Sequence, residues 1–435
     1  MRPTLVQPPD PDAPRLNTVG GGPARTGSLR AHNLALTLRA VASAPTPPSR
    51  SGLAVRTGLT RASVSGLIDT LVNGCLVRET GVPTRSGVGR PSTGLVLDPA
   101  GPAGLGLELN VDHLAARVVD LTGEVRVERT VTVDRSAGRR LDQLVALAGE
   151  MVTATERLGL ELSGVAVAVP GLVDPASGRL LVAPNLLADS VGDPAGSRLA
   201  PADLHGALGS VAGLGGVHTA VENEATLAAR AEQRALGAAA PRSFLQVSGE
   251  VGIGAGLVLD GRLYRGRHGW SGELGHVTVW PGGRPCGCGS DGCLEQYAGQ
   301  HAILRAAGAD GTAAGADGSP AAVGSIADRA TAGEPAMLAA LAEAGRALGI
   351  ALAGALNLLD LDAVVLGGLH ATLAPWLVGP VEAELSRRLV GAPVAMPMVR
   401  ASTLGADAAV LGAAWSVLDR VLDDPASWLA RTAPV

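Results

Sequence analysis

A chain of 435 residues is too long for one ordinary domain, and two or three are expected. With 46% hydrophobic, 17% charged and 2% aromatic residues it reads as a soluble globular protein whose core is built from Leu, Val and Ala. A net charge of −5 excludes a wholly basic nucleic-acid coat, apolar runs such as Val165–Val169 are too short to span a bilayer, and no secretory pattern opens the sequence, so a cytoplasmic protein without membrane contact is expected.

Residues 1 to 28 are rich in Pro and Gly, show no periodicity and are expected to be a disordered tail. Residues 29 to 100 form a module of different texture. Between Leu29 and Val96, Arg30, Arg39, Arg50, Arg56, Arg61, Arg78, Arg85 and Arg90 stand against only Asp69 and Glu79, a local excess suited to phosphate contact. Charge alone equally fits a solvated arginine-rich face in a chain without lysine, so the pattern must decide. Ser51–Leu71 carries that pattern. Small Ala54 lets two helices approach, Gly58 suits the positive φ of a turn between them, and Leu59, Val64 and Leu67 fill the gap. Thr60 is the expected N-cap of the second helix. Arg61, Ala62, Ser63 and Ser65 then fall on the outer side or at the helix start, where a helix-turn-helix meets the major groove. Leu76–Glu79 and Thr93–Leu97 have strand character, and Gly81–Ser92 between them makes a hairpin wing carrying Arg85, Gly89, Arg90 and Pro91. An extended Gly-Arg-Pro presents a guanidinium on a thin backbone suited to a narrow minor groove, although the tripeptide alone is only a turn.

From Gly101 the chain alternates short apolar strands with helical stretches. Leu105–Leu109, Ala116–Leu121 and Val125–Val133 read as strands, Leu141–Leu158 as a helix and Gly164–Val169 as a buried strand, an order that predicts an α/β body with mixed sheets. Phe244–Tyr264 is strand-rich, Ala306–Ala322 looks like an insertion, Pro335–Leu359 is helical, and Ala363–Leu366 is a strand closed by Gly367-Gly368. No regular repeat is apparent.

Of four cysteines, Cys75 stands alone, while Cys286, Cys288 and Cys293 crowd a glycine-rich stretch ten residues after His276. Three thiolates and an imidazole at this spacing fill the tetrahedral sphere of zinc and leave no position for activating water, so one structural zinc per chain is expected.

Three features together resemble the ROK family of repressors, open reading frames and sugar kinases. They are the glycine-rich stretch Val247–Gly266, the run Gly272-Glu273-Leu274-Gly275-His276, and the Cys-Gly-Cys-Gly segment ending in Leu294-Glu295, all behind a winged helix-turn-helix as in the family's xylose and N-acetylglucosamine repressors. The resemblance implies an actin-like, hexokinase-like (ribonuclease H-like) body of two lobes around a sugar cleft. The small lobe would occupy residues 101–222, completed by a C-terminal helix at 407–423, and the large lobe with the zinc would occupy 223–406. It also implies sugar contacts by Asn185, Asn223, Glu224, Glu273, His276 and Glu295, and operator DNA and a small-molecule sugar or sugar derivative as partners of a homodimer or homotetramer.

An ATP-dependent sugar kinase is the alternative, and the residues argue against it. The family's catalytic base is usually Asp, and Glu224 at that position displaces the carboxylate by about an ångström. The first phosphate loop reads Glu108-Leu109-Asn110-Val111-Asp112, and the second has Glu250-Val251 ahead of Gly252, Gly254 and Gly256, so acids face where a polyanion would lie. The expectation is a sugar-responsive DNA-binding regulator, a repressor, with no catalytic residues and no enzymatic activity.

Overall fold

The computed structural model describes residues 26–84, 92–111, 113–133, 140–174, 177–183, 204–249, 252–308 and 320–432. Within them the chain forms two units, one from residues 26–74, 79–84, 92–96 and 422–432, the other from 75–78 and 97–421.

The first unit is built on short helices fixed by their ends. Helix α1 (Thr26–Ala42) begins three residues ahead of the boundary expected from composition. Ser49 caps α2 (Arg50–Thr57) by accepting from the Gly52 amide at 3.1 Å. The turn that follows needs a left-handed residue, and Gly58 supplies it with φ of 71°, its amide donating to the Ala54 carbonyl at 3.0 Å. Thr60 caps α3 (Arg61–Asn73) through the Ser63 amide at 3.1 Å. Leu34, Leu38, Leu53, Val64, Leu67, Ile68 and Leu71 fill the centre. Strands β1 (Val77–Thr84) and β2 (Ser92–Leu97) pair as a two-stranded sheet, giving the order of a winged helix-turn-helix. A C-terminal helix, Pro425–Thr432, belongs to the same unit. Its Leu429 reaches so close to Gly74 that a Cβ there would lie 1.9 Å from the leucine Cδ2, Trp428 is buried, and Asp423 pairs with Arg39.

The second unit holds two five-stranded sheets. The first is ordered β5–β4–β3–β6–β9, from β3 (Pro102–Leu109), β4 (His113–Asp120), β5 (Val125–Thr132), β6 (Glu161–Val169) and β9 (His218–Asn223), with a small hairpin β7 (Leu172–Val173) and β8 (Leu180–Val182) after β6. The second is ordered β12–β11–β10–β13–β14, from β10 (Phe244–Gly249), β11 (Ile253–Leu259), β12 (Arg262–Tyr264), β13 (Ala363–Gly368) and β14 (Met398–Ala401). In each sheet the first three strands in sequence are antiparallel neighbours and the last two add in parallel. The same topology therefore occurs twice, where the sequence showed no repeat.

Helices cover both sheets. On the first, α4 (Arg140–Arg157) and α5 (Leu204–Gly209) close one side, and Leu144, Leu147, Met151 and Leu208 join Leu105, Leu107 and Val167 in a core. On the other side α13 (Ala408–Asp423) packs against β3 at Gly104 and Gly106, and its Ala413 and Val417 cluster with Ala166 and Ala168 of β6. Helix α6 (Glu224–Leu236) starts at the end of β9 and lies against β11 of the second sheet. That approach demands Gly256, since a Cβ there would sit 2.3 Å from the Ala225 carbonyl oxygen and 2.5 Å from the Ala229 Cβ. Gly256→Val should push α6 off the sheet and lower stability by about 3 kcal/mol, read as an earlier urea midpoint; an unchanged midpoint would contradict this packing.

The outer side of the second sheet carries α7 (Glu295–Ala298), α8 (Gln300–Ala306), α9 (Pro320–Thr331), α10 (Pro335–Leu359), α11 (Leu369–Thr372) and α12 (Ala374–Arg388). The insertion expected at Ala306–Ala322 falls mainly on residues 309–319, outside the described residues. Contrary to the reading that no apolar run is long enough for a bilayer, α10 has 25 residues and a mean hydropathy of 1.5 over its most apolar window. It is apolar because Leu341, Ala344, Leu348 and Leu352 lie in the core against α12.

Candidate functional site: a polar cleft beside a cysteine–histidine cluster

Ligands of open α/β sheets bind beyond the carboxyl ends of parallel strands. In the second unit a cleft of about 110 Å³, continuous with solvent, opens at that place. Asn110 and Val111 follow β3, Pro170 and Gly171 follow β6, and Asn223 and Glu224 join β9 to α6. Gly252, Ile253 and Gly254 come from the β10–β11 turn, and Glu273, His276, Cys288 and Glu295 complete the wall.

The sequence-predicted residues divide into three groups. Glu224, Glu273, His276 and Glu295 converge on the cleft as expected. Burial against the cleft wall raises the Glu273 carboxyl above the usual carboxylate range, Glu295 raises it further, and His276 opposes the shift. Burial likewise raises Glu295, opposed by His276, the Ile253 backbone and His301. Two carboxylates and an imidazole thus face one cleft.

Asn223 has a different first duty. Its Oδ1 accepts the Ala225 and Thr226 amides at 3.0 and 3.1 Å as the N-cap of α6, and its Nδ2 donates to the Gly171 carbonyl at 3.2 Å and to Glu224 Oε2 at 2.9 Å. It holds Glu224 in place more than it offers atoms of its own. Asn185, Asp112 and Glu250 lie outside the described residues. Sequence reasoning placed Asn110 only in a phosphate loop and missed Gly171 as a cleft residue. Their signal was position, one or two residues beyond the predicted strands Leu105–Leu109 and Gly164–Val169.

The cysteine loop is a small built structure. Thr278 bridges Cys293, Pro285 bridges Asp291, and the Cys286 amide donates to the Ser290 carbonyl at 2.8 Å. Gly292, with φ of 65°, passes so close to Trp280 that a Cβ would lie 1.7 Å from its carbonyl oxygen. Tyr297 stacks under the loop, its ring 4.3 Å from Trp280 and 4.5 Å from the Arg284 guanidinium. These contacts bring Sγ of Cys286, Cys288 and Cys293 and a ring nitrogen of His276 within 4.8 Å of one another. Cys288 and Cys293 sulfurs are 3.7 Å apart, and Cys286 Sγ lies 3.7 Å from His276 Nδ1. A tetrahedron with zinc–sulfur bonds of about 2.3 Å requires sulfurs about 3.75 Å apart, so the donor set fits zinc. Gln296 donates to Cys286 Sγ at 3.7 Å, a second partner for that ligand. Burial and the two neighbouring sulfurs push the Cys293 thiol up to about 12, a penalty that a divalent cation at the centre would remove. Because Nδ1 faces the sulfurs, the other ring nitrogen of His276 is the one available to the cleft.

In the first unit, Arg61, Ala62 and Ser63 are exposed at the start of α3 and Ser65 is half-buried, with Val64 and Leu67 turned inward. Ser63 Oγ shares a 2.8 Å hydrogen bond with Thr60. The arginine excess is smaller than its count. Arg50 is bound to Asp69 at 2.7 Å and Glu79 at 2.9 Å, which engages it with both acids and fixes α2 to α3 and β1. Arg85 and Arg90 lie outside the described residues.

Two sheets of one topology around a polar cleft with a Cys3His loop at its wall, preceded in the chain by a winged helix-turn-helix, define a two-lobed actin-like, hexokinase-like body with a winged-helix module. Residues 104–420 match the ROK family, and the chain belongs to that family. It is 29% identical over 379 residues to the xylose repressor of Bacillus subtilis (strain 168), covering 87% of this chain and 92% of that one. The fold is similar to a ROK family transcriptional regulator, a homolog of the E. coli MLC protein, with a TM-score of 0.72 and 23% identity over 93% of this chain and 99% of that one. It is also similar to a ROK family glucokinase from Streptomyces griseus in complex with glucose and AMPPNP, with a TM-score of 0.59 and 29% identity over 72% and 98% of the respective chains.

Proposed function

We propose that the chain is a sugar-responsive DNA-binding transcriptional regulator, a repressor, whose kinase-like body senses sugar without transferring phosphate. The observation that carries the reading is the presence, in one chain, of a capped helix start with Arg61, Ala62 and Ser63 exposed and a cleft where Glu224, Glu273, Glu295 and His276 converge. Carboxylates accept sugar hydroxyls, and the imidazole adds a further polar atom, so the set suits a polyol. Residues 29–100 serve as the DNA module, 101–222 with the helix at 407–423 as one lobe, and 223–406 as the other. Zinc held by His276, Cys286, Cys288 and Cys293 supplies no reaction and braces the loop that places His276 and Glu295. Asn185 adds a sugar contact, Arg85 and Arg90 reach the minor groove, and the chain works as a homodimer or homotetramer in the cytoplasm so that paired helices meet paired half-sites.

On DNA enriched from a random pool, Arg61→Ala should weaken binding by about 1–3 kcal/mol and relax the preferred sequence. Unchanged affinity and preference would move the interface elsewhere.

The kinase reading keeps one observation in its favour, the likeness to a glucokinase. Against it stands Glu224, whose Oε2 is drawn onto Asn223 Nδ2. Gly256, a residue of the supposed second phosphate loop, is accounted for by the approach of α6. ADP release over a panel of sugars should stay at background; turnover above it would overturn the loss of phosphoryl transfer.

A further inference from the structure

The cleft has a rim that the functional reading leaves unused. Between β12 and Glu273 the chain makes a short loop, residues 265 to 272, tied at both ends to residues adjoining the cleft lining. At one end Arg265 donates to the Glu222 carboxylate, one residue before Asn223. At the other, the Ala255 amide donates to the Gly272 carbonyl at 2.8 Å, between the lining residues Gly254 and Glu273. The loop is closed on itself by Ser271, whose hydroxyl donates to the Tyr264 carbonyl at 2.8 Å and whose amide donates to the Arg265 carbonyl at 3.3 Å. It is a fixed rim.

On this rim stands Trp270, one of only five tryptophans in a chain that is 2% aromatic. His268 stacks on it with ring centroids 5.1 Å apart and planes inclined by 34°. With that partner in place the tryptophan is still 44% exposed. A half-exposed indole is costly to leave in water, and its flat ring matches the apolar C–H face of a pyranose. Packing offers no other account of it, since Trp270 joins none of the core clusters among the described residues.

We infer that Trp270, backed by His268, forms a second sugar subsite at the cleft mouth, so that the preferred ligand is a disaccharide or larger glycoside rather than a single sugar. One ring lies against Glu273, Glu295 and His276, and the next ring, carried outward by the glycosidic bond, stacks on the indole. The inference rests on the reading of the cleft as a sugar site and deepens it.

Isothermal titration of the full zinc-loaded chain tests it with matched pairs: xylose and xylobiose, glucose and cellobiose, N-acetylglucosamine and N,N′-diacetylchitobiose. In at least one pair the disaccharide should bind about tenfold tighter than its monosaccharide. Trp270→Ala should erase that advantage without changing monosaccharide affinity, and Trp270→Phe should restore most of it. Indole emission should shift with the disaccharide in the wild-type chain and not in Trp270→Phe, which reads stacking without relying on the alanine variant. Monosaccharide binding with no disaccharide advantage, or an advantage that survives Trp270→Ala, would overturn the subsite and leave the sugar reading standing. Absence of binding by every sugar of either length would overturn both.

Discussion

Replacing Cys293 with serine is expected to strip zinc from the chain, from about one equivalent to near none, and to remove sugar binding with it. Cys293 is fully buried and bridges back to Thr278, so its sulfur is both ligand and part of the loop's internal wall. Structural zinc contributes about 10–16 kcal/mol to folding in small zinc-finger peptides, where the metal is nearly the whole core. Here the loop also rests on Trp280, Tyr297 and Arg284, so only part of that is exposed to loss. A destabilisation of more than about 4 kcal/mol is still expected, because the loop loses its metal cross-link and a serine hydroxyl is left at a fully buried position. Metal analysis and thermal unfolding read the two parts separately. Full metal content in the variant, or metal loss with no change in midpoint, would contradict the role of the cluster as a brace.

The second large effect belongs to the cleft. Glu273→Gln combined with Glu295→Gln should weaken any bound sugar by at least about a hundredfold, since each charged hydrogen bond contributes about 1.5–3 kcal/mol. The side chains keep their size, and neither is a zinc donor, so metal content and fold should be unchanged. Burial already raises both carboxyls, and their conversion to amides relieves that desolvation. The double variant should therefore be at least as stable as the parent while it loses the ligand-induced rise in melting temperature. Retention of that rise would place the sugar elsewhere.

Local chemistry made the helix-turn-helix readable: Gly58 takes its left-handed turn, Thr60 its cap, and Val64 and Leu67 their inward places, each set within a few residues. The Cys3His cluster was readable for the same reason, because its ligands sit on one tight loop and its spacing is the geometry. What escaped the sequence was long-range. The two sheets share an order because of pairings such as Phe244 with Ala363, and no local pattern encodes which strand lies beside which. The return of Trp428 and Leu429 to the first unit depends on the missing side chain at Gly74, some 350 residues earlier. Arg50 looked like part of a phosphate-binding surface until Asp69 and Glu79 proved to be its partners. Asn223, a sugar contact by the family resemblance, lines the cleft while its Oδ1 is already taken as the cap of α6. Both cases share one cause. A polar residue's sequence context does not say which of its atoms the fold has already engaged.

The measurement that bears most directly on sugar control of DNA binding is reciprocal titration of the full chain. Sugar affinity is measured with and without the enriched DNA, and DNA affinity with and without saturating sugar, at one salt concentration. Linkage requires the same factor in both directions, and a coupling of about 5- to 150-fold is the range expected of a regulator. Equal factors within that range would be the predicted result. Sugar and DNA that bind with full independence would contradict it.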